Sequence, residues 1–137
     1  MPQSSTRAFV ALQRAAAAQL DQLGHLLAPH GLTTQQFNVL RILRGAGPDG
    51  LACAEIGKRM LTRDSDITRL LDRLAKHSLI LRERHGEDRR VVMTSISPRG
   101  LEVLLRLDRP VAELHRRQFA KVKGVDGLAD QLDGLLP

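Results

Sequence analysis

The chain has no tryptophan and no tyrosine, and Phe9, Phe37 and Phe119 supply its whole aromatic content of 2%. A core so poor in aromatics must rest on leucine, isoleucine, valine and alanine, and the hydrophobic content of 42% is enough for that. The same scarcity argues against a single-stranded nucleic-acid platform, because such surfaces stack bases on aromatic rings. Cysteine is nearly missing too. Cys53 stands alone, so no internal disulfide can form, and a reducing compartment, the cytoplasm, is expected. Long apolar runs are also lacking. Gln13, Arg14 and Gln19 interrupt the apolar residues near the N-terminus, which leaves no secretory core, and no run approaches a membrane span. There is no glycine-rich phosphate loop, no nucleophile elbow and no HExxH helix, so the expectation is a protein that is not an enzyme and needs no cofactor.

What is present begins with charge. The 137 residues carry a formal net charge of +6, and the sequence pI is about 10.7, which favours an anionic partner. The surplus is uneven. From Lys58 to Arg90 there are ten Lys or Arg against six Asp or Glu, so about a quarter of the chain carries most of the excess.

That basic stretch has a readable order. Ile67, Leu70, Leu71 and Leu74 share one face of a helix expected from Asp64 to Lys76. Asp66, Thr68, Arg69, Asp72, Arg73 and Lys76 occupy its other faces. The period then changes to two strand-like runs, 79–84 and 91–96, joined by the charged loop His85-Gly86-Glu87-Asp88-Arg89-Arg90. A helix followed by a basic-tipped hairpin is the order of a winged helix-turn-helix, in which the helix enters a major groove and the hairpin tip reaches a minor groove or the backbone.

The flanks read as helices. Phe9, Leu12, Ala16, Leu20, Leu23 and Leu27 give a helix over about 7–28, closed by Pro29-His30-Gly31, with Met1 to Thr6 expected to fray. Thr33 and Gln36 form a capping box before a helix with Phe37, Leu40 and Leu43 inward, joined by Val39 and Ile42. Leu51 reads as a strand stub, and a short helix spans Cys53 to Met60. Ser97 and Pro98 start a long helix as N-cap and first residue. Pro110 is expected to kink it or end it near Asp108 and Arg109. A last helix covers about 125–136. The fold class is therefore mainly α. A single winged-helix domain spans 1–137, with a DNA-binding unit over 33–96. The helices at 7–32 and 97–137 have apolar faces that need a partner, and a second copy of the chain is the simplest one.

Glu55-Ile56-Gly57, Ser65 through Leu74, Leu79-Ile80, Asp88-Arg89-Arg90, Ile96-Ser97 and Gly100 together resemble the MarR family of bacterial transcriptional regulators. The resemblance covers roughly residues 8–136. It implies a homodimeric repressor, formed through the outer helices, on a pseudo-palindromic operator in double-stranded DNA. It also implies a small-molecule effector held between the dimer region and the DNA-binding unit. The helix from Ser65 would read the major groove. Asp88 would sit in the wing with Arg90, whose side chain would enter the minor groove. Where the family often has glycine after the recognition helix, this chain has Ser78, which points to strain or altered capping there.

The candidate DNA-contacting residues are Ser65, Thr68, Arg69, Arg73, Lys76, Asp88, Arg89 and Arg90. Arg69 and Arg73 are four apart and address one strip, although local pairing with Asp66 and Asp72 would also account for them. Ser65 and Thr68 are small enough for close approach, and Lys76 suits a phosphate. Asp88 and Arg90 would also make an ordinary turn ion pair, and Arg89 is an alternative groove residue. Asp64 or Asp66 would cap the helix rather than meet DNA. A weakly specific architectural or protein-binding module is the competing function. Cys53 reads as a small packed residue, since the family's peroxide sensors carry their cysteine in the first helix. The histidines at 25, 30, 77, 85 and 115 form no local metal motif, so no metal site is assigned.

Overall fold

The computed structural model describes residues 2–63, 66–84 and 90–137. Helix α1 runs over Pro2–Leu27 and ends in a 3-10 turn at Ala28–His30. Then follow α2 (Thr34–Ala46), β1 (Leu51–Ala52), α3 (Cys53–Arg59), α4 (Ile67–Lys76), β2 (Ile80–Arg84), β3 (Val92–Ile96), α5 (Pro98–Gln118) and α6 (Val125–Asp133). The strands form one antiparallel sheet in the order β1-β3-β2, with Ile80 opposite Ile96 and Leu51 opposite Thr94.

Local chemistry sets most of the element ends. Gln36 N–H donates to Thr33 Oγ1 at 3.1 Å and Gln36 Oε1 accepts from Thr33 N–H at 2.9 Å, so both halves of the capping box are made. Ser97 caps α5 by accepting from Gly100 N–H at 3.0 Å, with Pro98 as the first helical residue. The outer helices depart from expectation, although of the kink or end expected at Pro110 only the end is excluded. Helix α1 starts at Pro2, so the polar segment up to Thr6 is helical rather than frayed; a proline is tolerated in a first turn, where its missing N–H costs nothing. Helix α5 does not end near Asp108 but runs on through Pro110. An interior proline costs about 3 kcal/mol. Here Leu104 and Leu107 before it, and Val111 and Leu114 after it, are all buried, and α5 packs on α1 and α2. Burying such side chains contributes ~1.5–3 kcal/mol each, which outweighs the proline.

The core is continuous from the helix-turn-helix into α5. Leu40, Leu43, Ile56, Leu74, Leu104 and Leu107 are all fully buried in one cluster. Arg44 in α2 donates both terminal nitrogens to Asp108 in α5, at 2.9 and 3.0 Å. That hydrogen-bonded guanidinium holds the Asp108 carboxyl below its ordinary range. The pair is half exposed, so it braces the two helices more than it stabilises them.

The end of α4 places the wing. Ser78 has φ 61°, the left-handed region. Its N–H donates to Ala75 O and Leu79 N–H donates to Leu74 O, both at 3.0 Å, which is a Schellman closure with serine where glycine is usual. Buried Leu79 packs in the same cluster as Leu74, and Ser97 Oγ donates to Ser78 O at 2.6 Å. The strain anticipated at Ser78 is therefore real, and neighbouring bonds hold it. Ser78→Gly should remove a left-handed cost of ~1–2 kcal/mol. It also frees the unfolded chain, at a cost of ~0.5–1 kcal/mol. A net gain of about 0.5 kcal/mol is expected, read as a higher denaturant midpoint; a lower midpoint would contradict the strain.

Candidate nucleic-acid interface

Helix α4 turns Leu70, Leu71 and Leu74 into the core. Its 3.6-residue period therefore sends Thr68, Arg69, Asp72, Arg73 and Lys76 outward, and all five are exposed. Asp66 caps the helix: its Oδ1 accepts from Arg69 N–H at 3.0 Å. A carboxylate at this end also complements the helix dipole. Ser65, Asp88 and Arg89 lie outside the described residues, as do Asp64 and His85. Arg90 is exposed and stands at the entry to β3, at the β2–β3 end of the wing.

The local pairing that would have occupied Arg69 and Arg73 does not form. Asp66 is used by the backbone cap, and Asp72 Oδ1 accepts instead from Arg82 Nη2 on β2, at 2.7 Å. Among the described residues, no carboxylate pairs with Arg69, Arg73 or Lys76. The outward face of α4 thus presents three cations from one helix, and phosphate oxygens or guanine edges are the natural counterparts.

Arg82 was not among the residues singled out from the sequence. Strand residues alternate between faces, so Arg82 shares a face with buried Ile80, but Arg82 itself is exposed and nothing local in the sequence names its partner. Asn38 was missed as well. Its Oδ1 accepts from Leu61 N–H at 2.8 Å, which ties α2 to the turn between α3 and α4. No local pattern announces a contact 23 residues apart.

A cleft of about 820 Å³ opens between α1, α2, the α3–α4 turn and the end of α5. Leu20, Leu23 and Phe119 line its apolar side, and Arg41 and Arg59 reach its edge. Arg41 lies over the Phe37 ring, 5.7 Å from the centroid. Gln118, also in the lining, donates Nε2–H to Gln22 Oε1 at 2.9 Å and to Gln19 O at 3.2 Å. Cys53 is half-buried at the first residue of α3. Among the described residues no group of three His, Cys, Asp or Glu side chains is placed to hold a metal, and no helix is long and apolar enough to cross a membrane.

The MarR family profile matches residues 32–92, the span from the capping box of α2 to the first residue of β3. The transcriptional regulator MhqR of Bacillus subtilis is 31% identical over 104 residues, which is 76% of this chain and 70% of that protein. A MarR transcription factor from Planctomyces limnophilus superposes with a TM-score of 0.75 at 34% identity, covering 93% of this chain and 92% of that one. A mutant MarR from E. coli, solved in complex with operator DNA, superposes with a TM-score of 0.83 at 24% identity, over 93% and 91% of the two chains. The outward basic helix, the wing behind it and the sequence relationship over most of the chain have one common explanation: this protein belongs to the MarR family of transcriptional regulators.

Proposed function

We propose that this chain is a cytoplasmic, homodimeric repressor that binds a pseudo-palindromic operator in double-stranded DNA and is released by a small effector. It acts by binding, not by catalysis. The observation that carries the reading is the face of α4, where Arg69, Arg73 and Lys76 point outward beside the wing with no carboxylate partner among the described residues. In this reading Thr68 and Ser65 approach the bases or phosphates of the major groove. Asp88, Arg89 and Arg90 form the wing contact, with Arg90 in the minor groove, where a narrow groove concentrates negative potential. The dimer is supported by apolar side chains that the single chain leaves exposed: Phe9 and Leu20 on α1, and Leu135 and Leu136 just after α6. A second copy can bury such faces symmetrically. The cleft beside Arg41 is the effector site in this reading, because it touches both α1 and the turn that leads into α4.

Selection of bound duplexes from a random pool tests the proposal. The expected product is a pseudo-palindrome with half-site centres ~34–36 Å apart, bound by a dimer in sedimentation. Uniform affinity across sequences would favour a weakly specific architectural role instead. On the selected site, Arg90→Ala should weaken binding and lower the slope of log affinity against log salt by ~0.9, the loss of one phosphate-neutralising contact. An unchanged slope and affinity would remove Arg90 from the interface.

A further inference from the structure

Within the DNA-binding reading just given, we infer that Arg82 is a positioning residue that masks Asp72, so that this carboxylate in the middle of the outward face of α4 does not repel DNA. Residues 69, 72 and 76 are spaced by three and four, so Arg69, Asp72 and Lys76 lie on one outward strip of α4. A bare carboxylate there would face the same phosphates as its two basic neighbours. It would also draw those cations to itself, since both sit at pairing distance along the helix. Neither pairing is present among the described residues. Asp72 Oδ1 is bonded at 2.7 Å to Arg82 Nη2, which comes from the strand rather than the helix.

The geometry explains why Arg82 can do this. It sits on the Ile80 face of β2, the face turned to the core and to α4, and Ile80 is buried. Its side chain is 29% exposed, whereas that of Asp72 is 60% exposed. The guanidinium therefore reaches out from beneath the carboxylate. It is placed to neutralise Asp72, while Arg69, Arg73 and Lys76 hold the outward positions. The same bond ties the wing strand to the middle of α4. A surface pair of this kind adds ~0–1 kcal/mol to folding, so its role lies in the surface it leaves behind.

The experiment uses the intact protein on its own selected duplex, with titrations over a salt series and a thermal melt for each variant. Arg82→Gln keeps much of the side chain and removes the charge. It should weaken binding about tenfold at low salt, because one uncompensated carboxylate now faces the phosphates. Arg82→Lys should restore affinity to near wild type. The pair of changes Arg82→Gln and Asp72→Asn together should recover most of the loss, with the thermal midpoint unmoved throughout. If the double variant stays as weak as Arg82→Gln, and the salt slope falls by ~0.9 in both, Arg82 is itself a phosphate contact and the inference is overturned. Wild-type affinity for Arg82→Gln would overturn it equally. A wild-type protein that selects no duplex would remove the DNA reading and this inference with it.

Discussion

Gly100→Ala is expected to destabilise the fold by about 3 kcal/mol, at the upper end of what overpacking usually costs. For a chain of this length that corresponds to a fall of roughly 10 °C in thermal midpoint. Gly100 lies in the first turn of α5, where its N–H donates to Ser97 Oγ. A Cβ at this position would overlap the Leu79 carbonyl oxygen and come within 2.7 Å of Ile96 Cγ1. The first obstacle is backbone and cannot rotate away. Relief requires α5 to lift from the strand, which would stretch the bonds Ser97 makes to Leu79 O at 3.1 Å and to Ser78 O at 2.6 Å. Those bonds position the wing, so operator affinity should fall along with stability. Gly57→Ala is the control. Gly57 is also helical, but nothing lies within 4 Å of its added Cβ, and the change should stabilise α3 by up to ~1 kcal/mol. Differential scanning calorimetry of the two variants checks both signs. Equal behaviour would show that the contact of α5 on Leu79 is looser than described.

The double variant Arg69→Ala with Arg73→Ala should show the opposite profile. Each arginine that reaches a base edge or phosphate is worth ~1–3 kcal/mol of binding. Together they should lower affinity for the selected site by on the order of a hundredfold or more. Both side chains are exposed on α4 and neither pairs with a carboxylate among the described residues, so the thermal midpoint should hardly change. The single variants then separate the roles. The one that touches a base relaxes specificity at one position, and the one that touches phosphate weakens all sequences alike. Retained affinity in the double variant at moderate salt would move the recognition surface away from α4.

The sequence carries information of a local kind. Its local signals determined the order of elements, the capping box at Thr33 and Gln36, the Ser97-Pro98 start of α5, and the strand runs of the wing. They also marked the basic face of α4. Each of these is settled within one turn or one strand, by backbone hydrogen bonding and by the period at which side chains meet a core. Only the tertiary structure decided that α5 runs through Pro110, that Ser78 tolerates a left-handed backbone, and that Gly100 is tight where Gly57 is open. It alone decided that Asp72 turns to Arg82, ten residues on, and that Arg44 meets Asp108, 64 residues away. Such outcomes depend on which surfaces are brought face to face when helices and strands pack. A residue's own neighbours in sequence do not hold that information, because an exposed arginine and a paired one read alike until the opposing element is in place.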